Sequence, residues 1–128
     1  MDMRLNNDDD ALIVKYTEAI TLDPKNPYAY SMRGNAYVEK GDYDQAIADF
    51  NKAIEIDSKN ATAYFFRGNA YTRRGEYDTA IADFTISIAL VPWYPQAYFN
   101  RGNAYHAKGE YGNAIADFSK AMALGWKL

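Results

Sequence analysis

The stretch MRGNAY at residues 32–37 returns as FRGNAY at 66–71 and as NRGNAY at 100–105, an interval of 34 residues each time. A second block follows each copy, as GDYDQAIADF at 41–50, GEYDTAIADF at 75–84 and GEYGNAIADF at 109–118. A fixed period of this length predicts a stack of equivalent structural units, each of which buries its apolar face against the next. Counted from Pro27, three whole units cover residues 27–60, 61–94 and 95–128 as one domain.

Each unit has the pattern of two helices joined by a tight corner. The first half carries Tyr and Gly at three- and four-residue spacing, and the second carries Ala, Ile and Phe at helical spacing. Between them, Gly41, Gly75 and Gly109 are suited to the left-handed conformation that ends a helix. A carboxylate then stands near the amino end of the next helix, in Asp42, Glu76 and Glu110. The expected fold is all-α.

The two blocks resemble the tetratricopeptide repeat, whose pattern is W-x2-L-G-x2-Y followed by A-x3-F. The first unit matches it as Tyr30-x2-Arg33-Gly34-x2-Tyr37 and Ala46-x3-Phe50, and the later units repeat the match. Tyr replaces the family's Trp, and Arg replaces its Leu, in every unit. The resemblance implies a right-handed α-solenoid of antiparallel helix pairs, and a scaffold or adaptor that binds a protein or peptide partner.

Residues 11–26 match the second helix of a unit, so we expect a half repeat there, preceded by a polar segment at residues 1–10. Asp8, Asp9 and Asp10 are then expected near the start of that helix, where carboxylates are favourable. They lack the spaced loop of oxygen ligands that calcium needs, so we expect no metal there.

Composition excludes several classes of function. A net charge of −3, without a cluster of Lys and Arg, argues against a nucleic-acid partner. Zero cysteines exclude disulfides and thiolate catalysis. The chain shows neither a signal peptide nor an apolar stretch long enough to span a bilayer, which predicts a cytoplasmic protein without membrane insertion.

No constellation of residues indicates an enzyme. His106 is the only histidine, so a metal site would depend on carboxylates alone, and the glycines form no phosphate-binding loop. No Ser or Thr has a nearby candidate base. We therefore expect neither catalytic residues nor a cofactor.

Comparison of the three copies separates a packing face from a variable face. The identical residues Ala29, Tyr30, Arg33, Gly34, Ala36 and Tyr37 fall within an arc of about 160° on the first helix, which predicts that this arc stacks on neighbouring helices. The remaining arc varies between copies and should join across units into one concave groove. The predicted groove comprises Tyr28, Ser31, Met32, Asn35, Phe65, Phe66, Asn69, Arg73, Phe99, Asn100, Asn103 and His106.

Asn35, Asn69 and Asn103 stand in this groove yet are identical in all three copies. A carboxamide offers both donors and an acceptor, which suits the backbone of an extended peptide. The alternative is that each Asn bonds within the scaffold. A specialised form of the family grips a terminal carboxylate with Lys, Asn, Asn, Lys and Arg, but here only Asn35 fits, because the other places hold Ser31, Phe66, Gln96 and Asn100.

Arg33, Arg67 and Arg101 recur with Asp49, Asp83 and Asp117 at the same period. We expect a ladder of Arg–carboxylate pairs, either between the two helices of a unit or between neighbouring units.

The linker 91–95, VPWYP, is the most unusual local sequence. Its Trp93 and Tyr94 either form a contact platform at the groove's edge or tuck under a neighbouring helix.

Two apolar helix faces lack a neighbour in this register. Leu12, Ile13 and Tyr16 lie on the first, and Ile115, Phe118 and Met122 lie on the last, where Trp126 covers part of the surface. The alternative function is therefore self-assembly into a homo-oligomer through these helices. A third reading is that the sequence is an excerpt from a longer array.

Overall fold

The computed structural model describes residues 3–127, with side chains from Asp8 onward, and this part of the chain forms seven α-helices. They are α1 (Met3–Leu22), α2 (Pro27–Lys40), α3 (Tyr43–Ile56), α4 (Ala61–Arg73), α5 (Tyr77–Leu90), α6 (Pro95–Ala107) and α7 (Tyr111–Ala123). Each of α2–α3, α4–α5 and α6–α7 is a helix pair, and α1 packs on α2. Met1 and Asp2 of the expected polar segment, and Leu128 of the third unit, lie outside the described residues.

The first helix is longer than the sequence indicated. Helix α1 begins at Met3, so Asp8, Asp9 and Asp10 lie inside it and not in its first turn. The prediction that they cap the helix start is wrong. Asp10 instead accepts a hydrogen bond from Lys40 Nζ at 2.6 Å, which raises the pKa of Lys40.

The corners between paired helices form as predicted. Gly41, Gly75 and Gly109 have φ of 86°, 80° and 84°, a region that favours glycine. Asp42, Glu76 and Glu110 occupy the N-cap positions of α3, α5 and α7, but none makes a side-chain capping hydrogen bond. Glu76 and Glu110 instead pair with basic residues of the same corner, Arg74 at 2.9 Å and Lys108 at 3.3 Å.

Glycine on the first helix of each pair faces a phenylalanine on the second. A Cβ built on Gly34 would lie 2.5 Å from the ring of Phe50, and the distance is 2.7 Å both for Gly68 with Phe84 and for Gly102 with Phe118. Phe50 and Phe84 are completely buried. The helices therefore approach so closely that only glycine fits beneath the ring.

The alanines of the identical arc are buried as well, in agreement with the predicted packing face. Those of α2, Ala29 and Ala36, are 1% and 3% exposed. No helix in residues 3–127 is long and apolar enough to cross a membrane.

The predicted ladder of Arg–carboxylate pairs is confirmed. In the second unit, Arg67 Nε and Nη2 donate to the two carboxylate oxygens of buried Asp83, both at 2.8 Å. This hydrogen bonding raises the pKa of Arg67, although burial opposes it. The first and third units repeat the bidentate contact, with donor–acceptor distances of 2.7 and 2.8 Å in Arg33–Asp49 and 2.8 Å in Arg101–Asp117.

The Arg–carboxylate pairs thus join the two helices of one unit, and each arginine also bonds to an uncharged side chain of the preceding unit. Nη1 of Arg33, Arg67 and Arg101 donates to Thr17, Asn51 and Thr85, at 3.2, 2.8 and 3.2 Å. The carboxylate partner lies 16 residues after the arginine and the second acceptor 16 residues before it. One guanidinium therefore joins three helices.

A second, exposed ladder runs along the corners. Arg74 Nη1 lies 3.0 Å from Asp44 of the preceding unit, and Lys108 pairs in the same way with Asp78. Lys40 with Asp10 is the equivalent pair one unit earlier. Surface pairs of this kind contribute little stability, and they follow the register that the core contacts set.

The Arg67–Asp83 pair should show strong energetic coupling. Arg67→Leu and Asp83→Asn, measured singly and together by chemical unfolding, should give a coupling free energy of about 1–3 kcal/mol, because the carboxylate is buried and the contact is bidentate. Additive effects of the two substitutions would contradict a structural role for the pair. Lys52→Leu with Glu55→Gln, an exposed pair at 3.6 Å, is the control and should couple weakly.

The glycine beneath each ring should be irreplaceable. We expect Gly68→Ala to lower the free energy of unfolding by about 1–3 kcal/mol, because the new methyl group overlaps the buried Phe84 ring. Gly112→Ala is the matched control: it lies in helix α7 with nothing within 4 Å of the added Cβ, and alanine favours the helix. Thermal unfolding monitored by circular dichroism compares them, and equal stability of the two variants would refute the packing argument.

Candidate functional site

A cavity of about 420 Å³ lies between helices α4 and α6. Five residues of the predicted groove line it: Phe65, Asn69, Arg73, Asn100 and Asn103. Thr72 and Gln96 complete the lining. The first helices of the second and third units thus form one continuous recess, which is the candidate site.

Three carboxamides in the recess are linked by hydrogen bonds. Asn100 Nδ2 donates to Asn69 Oδ1 at 2.8 Å, and Gln96 Nε2 donates to Asn100 Oδ1 at 2.9 Å. Within the described residues, Asn69 keeps its two N–H donors and Gln96 its carbonyl oxygen for another molecule. The bonds fix the carboxamides in place, so they are ordered before any ligand binds.

The recurring asparagines are not equivalent in the structure. Asn69 is part-buried and bonded to Asn100, whereas no side-chain hydrogen bond holds Asn35 or Asn103 among residues 8–127. Asn103 is exposed and lines the recess, and Asn35 lies outside it. Among the described residues, Asn69 is therefore the one recurring asparagine whose side chain bonds within the scaffold. Its partner Asn100 belongs to the third unit, and the other units have no asparagine at the equivalent position.

Charge in the recess is balanced internally. Arg73 is its single charged lining residue, and Arg73 Nη2 lies 3.3 Å from Glu39 Oε1 of the preceding unit. Polar but uncharged side chains dominate the remaining lining. This chemistry suits peptide N–H and C=O groups better than a carboxylate.

The first unit contributes less to the recess than expected. Ser31 is 2% exposed and accepts a hydrogen bond from Asn60 Nδ2 at 3.4 Å, so it belongs to the core and offers no groove surface. Tyr28 is 60% exposed and packs its edge on Tyr16, with 6.1 Å between the ring centroids. Met32 is part-buried and lies outside the recess.

The remaining predicted groove residues divide between core and surface. Phe66 packs against Phe50 at a centroid distance of 6.0 Å. His106 is exposed at the end of α6, where its ring lies 5.1 Å from that of Tyr111 and outside the recess. The recess is therefore confined to the first helices of the second and third units.

The linker after α5 forms a second cavity beside the recess. Trp93 and Tyr94 are 69% and 45% exposed, and with Phe65 and Phe66 they line a space of about 290 Å³. The Tyr94 ring meets Phe65 edge-on, with 5.4 Å between centroids and 71° between planes. Trp93 was expected either to form a contact platform at the groove's edge or to pack under a neighbouring helix. Its exposure matches the platform.

The two faces considered for self-association differ. Tyr16 is only 8% exposed because α2 covers it, so it offers no free surface, while Ile13 is part-buried and Leu12 is 40% exposed. On α7, Ile115 and Met122 are 64% and 52% exposed. Of the residues predicted for self-association, Ile115 and Met122 on the last helix are therefore more exposed than those on the first.

Trp126 shields part of that face. Its ring stacks on Phe99 with 4.5 Å between centroids and 24° between planes, so Phe99, a predicted groove residue, lies beneath it. Phe99, Phe118, Met122 and Trp126 enclose an apolar pocket of about 220 Å³. The buried indole N–H of Trp126 has no acceptor among the described residues.

Sequence reasoning left Thr72 and Gln96 out of the predicted site. Both stand at variable positions of the same helix arc that supplied Arg73 and Asn100, so the variability between copies was the signal that could have found them. Gln96 has the same carboxamide group as the recurring asparagines, but it does not recur between the copies and was therefore not selected.

Family models match the chain along most of its length. A model described as TPR repeat matches residues 34–73 and 68–109, and models described as tetratricopeptide repeat match residues 15–48 and 95–124. The chain belongs to the tetratricopeptide repeat family. No curated protein matches it in sequence.

Solved structures of tetratricopeptide repeat proteins share the fold. A crystal structure of MamA is 30% identical with a TM-score of 0.80, covering 88% of this chain and 66% of MamA. The chain thus spans a little under two thirds of MamA's length. The second TPR of Spaghetti (RPAP3), bound to the HSP90 peptide SRMEEVD, is 31% identical with a TM-score of 0.74, covering 77% and 91%. The first TPR of that protein, bound to the same peptide, is 29% identical with a TM-score of 0.76, covering 80% and 82%. The fold is the expected right-handed α-solenoid of antiparallel helix pairs.

Proposed function

We propose that this tetratricopeptide repeat protein is a non-enzymatic scaffold that binds an extended segment of a partner protein in the recess between α4 and α6. The observation that carries the proposal is the line of ordered carboxamides from Gln96 to Asn69 in an open cavity of about 420 Å³. Oriented amide groups can pair with peptide N–H and C=O groups whatever the side chains are. Because the bonds already hold them in place, little conformational entropy is lost on binding.

The related structures support peptide binding, but the residues of this chain suit a different kind of peptide. The two TPRs of Spaghetti (RPAP3) hold the acidic peptide SRMEEVD. In this chain, Phe66 and Gln96 stand at two of the places where the carboxylate-gripping form has Asn and Lys, and Arg73 is already paired with Glu39. We therefore expect a partner segment recognised through its backbone and through uncharged side chains.

Removal of two recess carboxamides should weaken partner capture. The double variant Asn69→Ala/Asn103→Ala should retain about tenfold less partner than wild type, since each hydrogen bond lost contributes roughly 0.5–1.5 kcal/mol. Capture from a lysate of the source cells, quantified by mass spectrometry, provides the measurement. Phe65 is unsuitable as a test position because it is buried in the core of the second unit.

The matched control for this experiment is Asn113→Ala, an exposed asparagine on α7 that lies outside the recess. It should capture partners as wild type does. Identical partners and amounts for all three proteins, with equal circular dichroism spectra, would refute binding in the recess.

Self-association through α7 is the second candidate function. The exposed apolar residues Ile115 and Met122 and the pocket beside Trp126 support it, because an uncovered helix face of this kind is a docking surface for another helix. A second copy of the chain is the occupant that the repeat register favours, since α7 presents the positions by which α3 and α5 receive the next unit.

Light scattering over a concentration series tests this second candidate. A dimer that Ile115→Glu abolishes, and that Ala116→Glu leaves intact, would support it. Ile115 is the better test position than Phe118, because Phe118 packs on Gly102 within its own unit and a charge there would disrupt the helix pair. A monomer at every concentration would contradict self-association.

A further inference from the structure

The cavity of about 290 Å³ beside the recess has the form of a side-chain pocket. It lies between the start of α4 and the linker that follows α5, and four aromatic rings line it: Phe65, Phe66, Trp93 and Tyr94. Ser87 also lines it, but its hydroxyl donates to the backbone oxygen of Ala61 at 3.0 Å and is already satisfied. The pocket is therefore mainly apolar, and its other side-chain hydroxyls are those of Thr62 and Tyr94.

The third unit shows which kind of group packs at this position. Phe99 is the equivalent of Phe65, and the indole of Trp126 stacks on it at 4.5 Å with 24° between the ring planes. In the second unit, Tyr94 meets Phe65 only edge-on, at 71°, and space remains between these rings and Trp93. In the third unit the chain fills this position with its own Trp126 ring. In the second unit the equivalent position has room for a ring from another molecule.

The first unit has no such pocket. Ser31 stands at the position of Phe65 and Phe99, and it is buried beneath Asn60. The third unit has a smaller pocket, of about 220 Å³, beside Phe99, but there Trp126 already stacks on that ring. The pocket whose floor ring has no stacked partner is that of the second unit. The second unit also supplies four of the seven residues that line the carboxamide recess.

The pocket lies beside the recess, and its uncharged lining restricts the occupant. Phe65 lines both cavities, so a segment held by Asn69 and Gln96 passes directly beside the pocket. No Asp, Glu, Lys or Arg lines the pocket, and the one charged residue of the recess, Arg73, is paired with Glu39 at 3.3 Å. An ionised side chain would lose its hydration here without gaining a partner.

We infer that the partner segment is an uncharged extended peptide that inserts one aromatic side chain into the pocket formed by Phe65, Phe66, Trp93 and Tyr94. This inference rests on the proposed function of the recess and adds the side chain that the partner must carry. Aromatic rings suit the site because edge-to-face and offset-stacked contacts with the lining rings add to the burial of apolar area. The exposed Trp93 is the specificity-determining residue, since it forms the pocket's outer wall.

A displayed library of random linear dodecapeptides tests the inference on the whole chain. Wild type should enrich peptides with Phe, Tyr or Trp at one fixed position among uncharged residues. Replacement of that residue by Ala in a selected peptide should weaken Kd roughly tenfold or more, as expected for a buried aromatic side chain. In the Trp126→Phe variant, Trp93 is the single Trp of the chain, and its fluorescence should shift to shorter wavelength when that peptide binds.

Thr62→Glu places a carboxylate at the exposed rim of the pocket, in the first turn of α4, where the helix dipole favours it and the fold is retained. It should abolish the aromatic preference. Thr79→Glu is the matched control, in the first turn of α5 and outside both cavities, and should preserve it.

The outcomes separate the two proposals. Enrichment that Asn69→Ala/Asn103→Ala weakens, but that shows no aromatic preference, overturns the pocket and leaves the recess intact. An aromatic preference that Thr62→Glu does not change also overturns the assignment to this pocket. A library that wild type does not enrich at all overturns both proposals.

Discussion

The phenylalanine ring that rests on a glycine backbone is the contact on which each helix pair depends. Phe50 lies on Gly34, and the later units repeat the contact. Arg33 precedes that glycine and Asp49 precedes that phenylalanine, so the same close approach brings guanidinium and carboxylate into bidentate contact. Helix spacing, register and the buried ion pair are therefore set together. Residues outside this contact are free to differ between units, and those differences create the recess.

The 34-residue interval, and the glycine followed by an acidic residue at each corner, predicted most of the fold. The helix pairs start at Pro27, Ala61 and Pro95, where counting placed the units, and the corner glycines adopt the expected left-handed conformation. The start of α1 could not be placed in the same way, because the chain departs from the repeat there: Asn7 stands where the later units have a corner glycine, such as Gly41. Nor did the pattern show that the corner carboxylates would pair with Arg74 and Lys108 instead of capping helices, since the choice depends on side-chain geometry.

The site was predicted less well than the fold, for a physical reason. A helical arc shows which residues lie on one face of a helix, but not which residues of adjacent helices or linkers cover that face. Ser31 and Phe99 lie on the correct arc, yet one is buried near Asn60 and the other beneath Trp126. The link from Asn69 to Asn100 likewise joins residues 31 apart, on two different helices, and no local pattern reveals it. Contacts between units decide which part of a continuous arc becomes an open recess, and here it lies between the second and third units.

The arginine that joins three helices affects how an array of this kind can change in length. Its partners lie at equal separations before and after it along the chain. Duplication or loss of one complete unit would therefore leave every arginine with an acceptor 16 residues before it and a carboxylate 16 residues after it. This holds although the earlier acceptor is Thr in one unit and Asn in another. An insertion inside a unit would separate an arginine from a partner. The ladder thus permits the array to evolve by whole repeats while it opposes smaller changes in length.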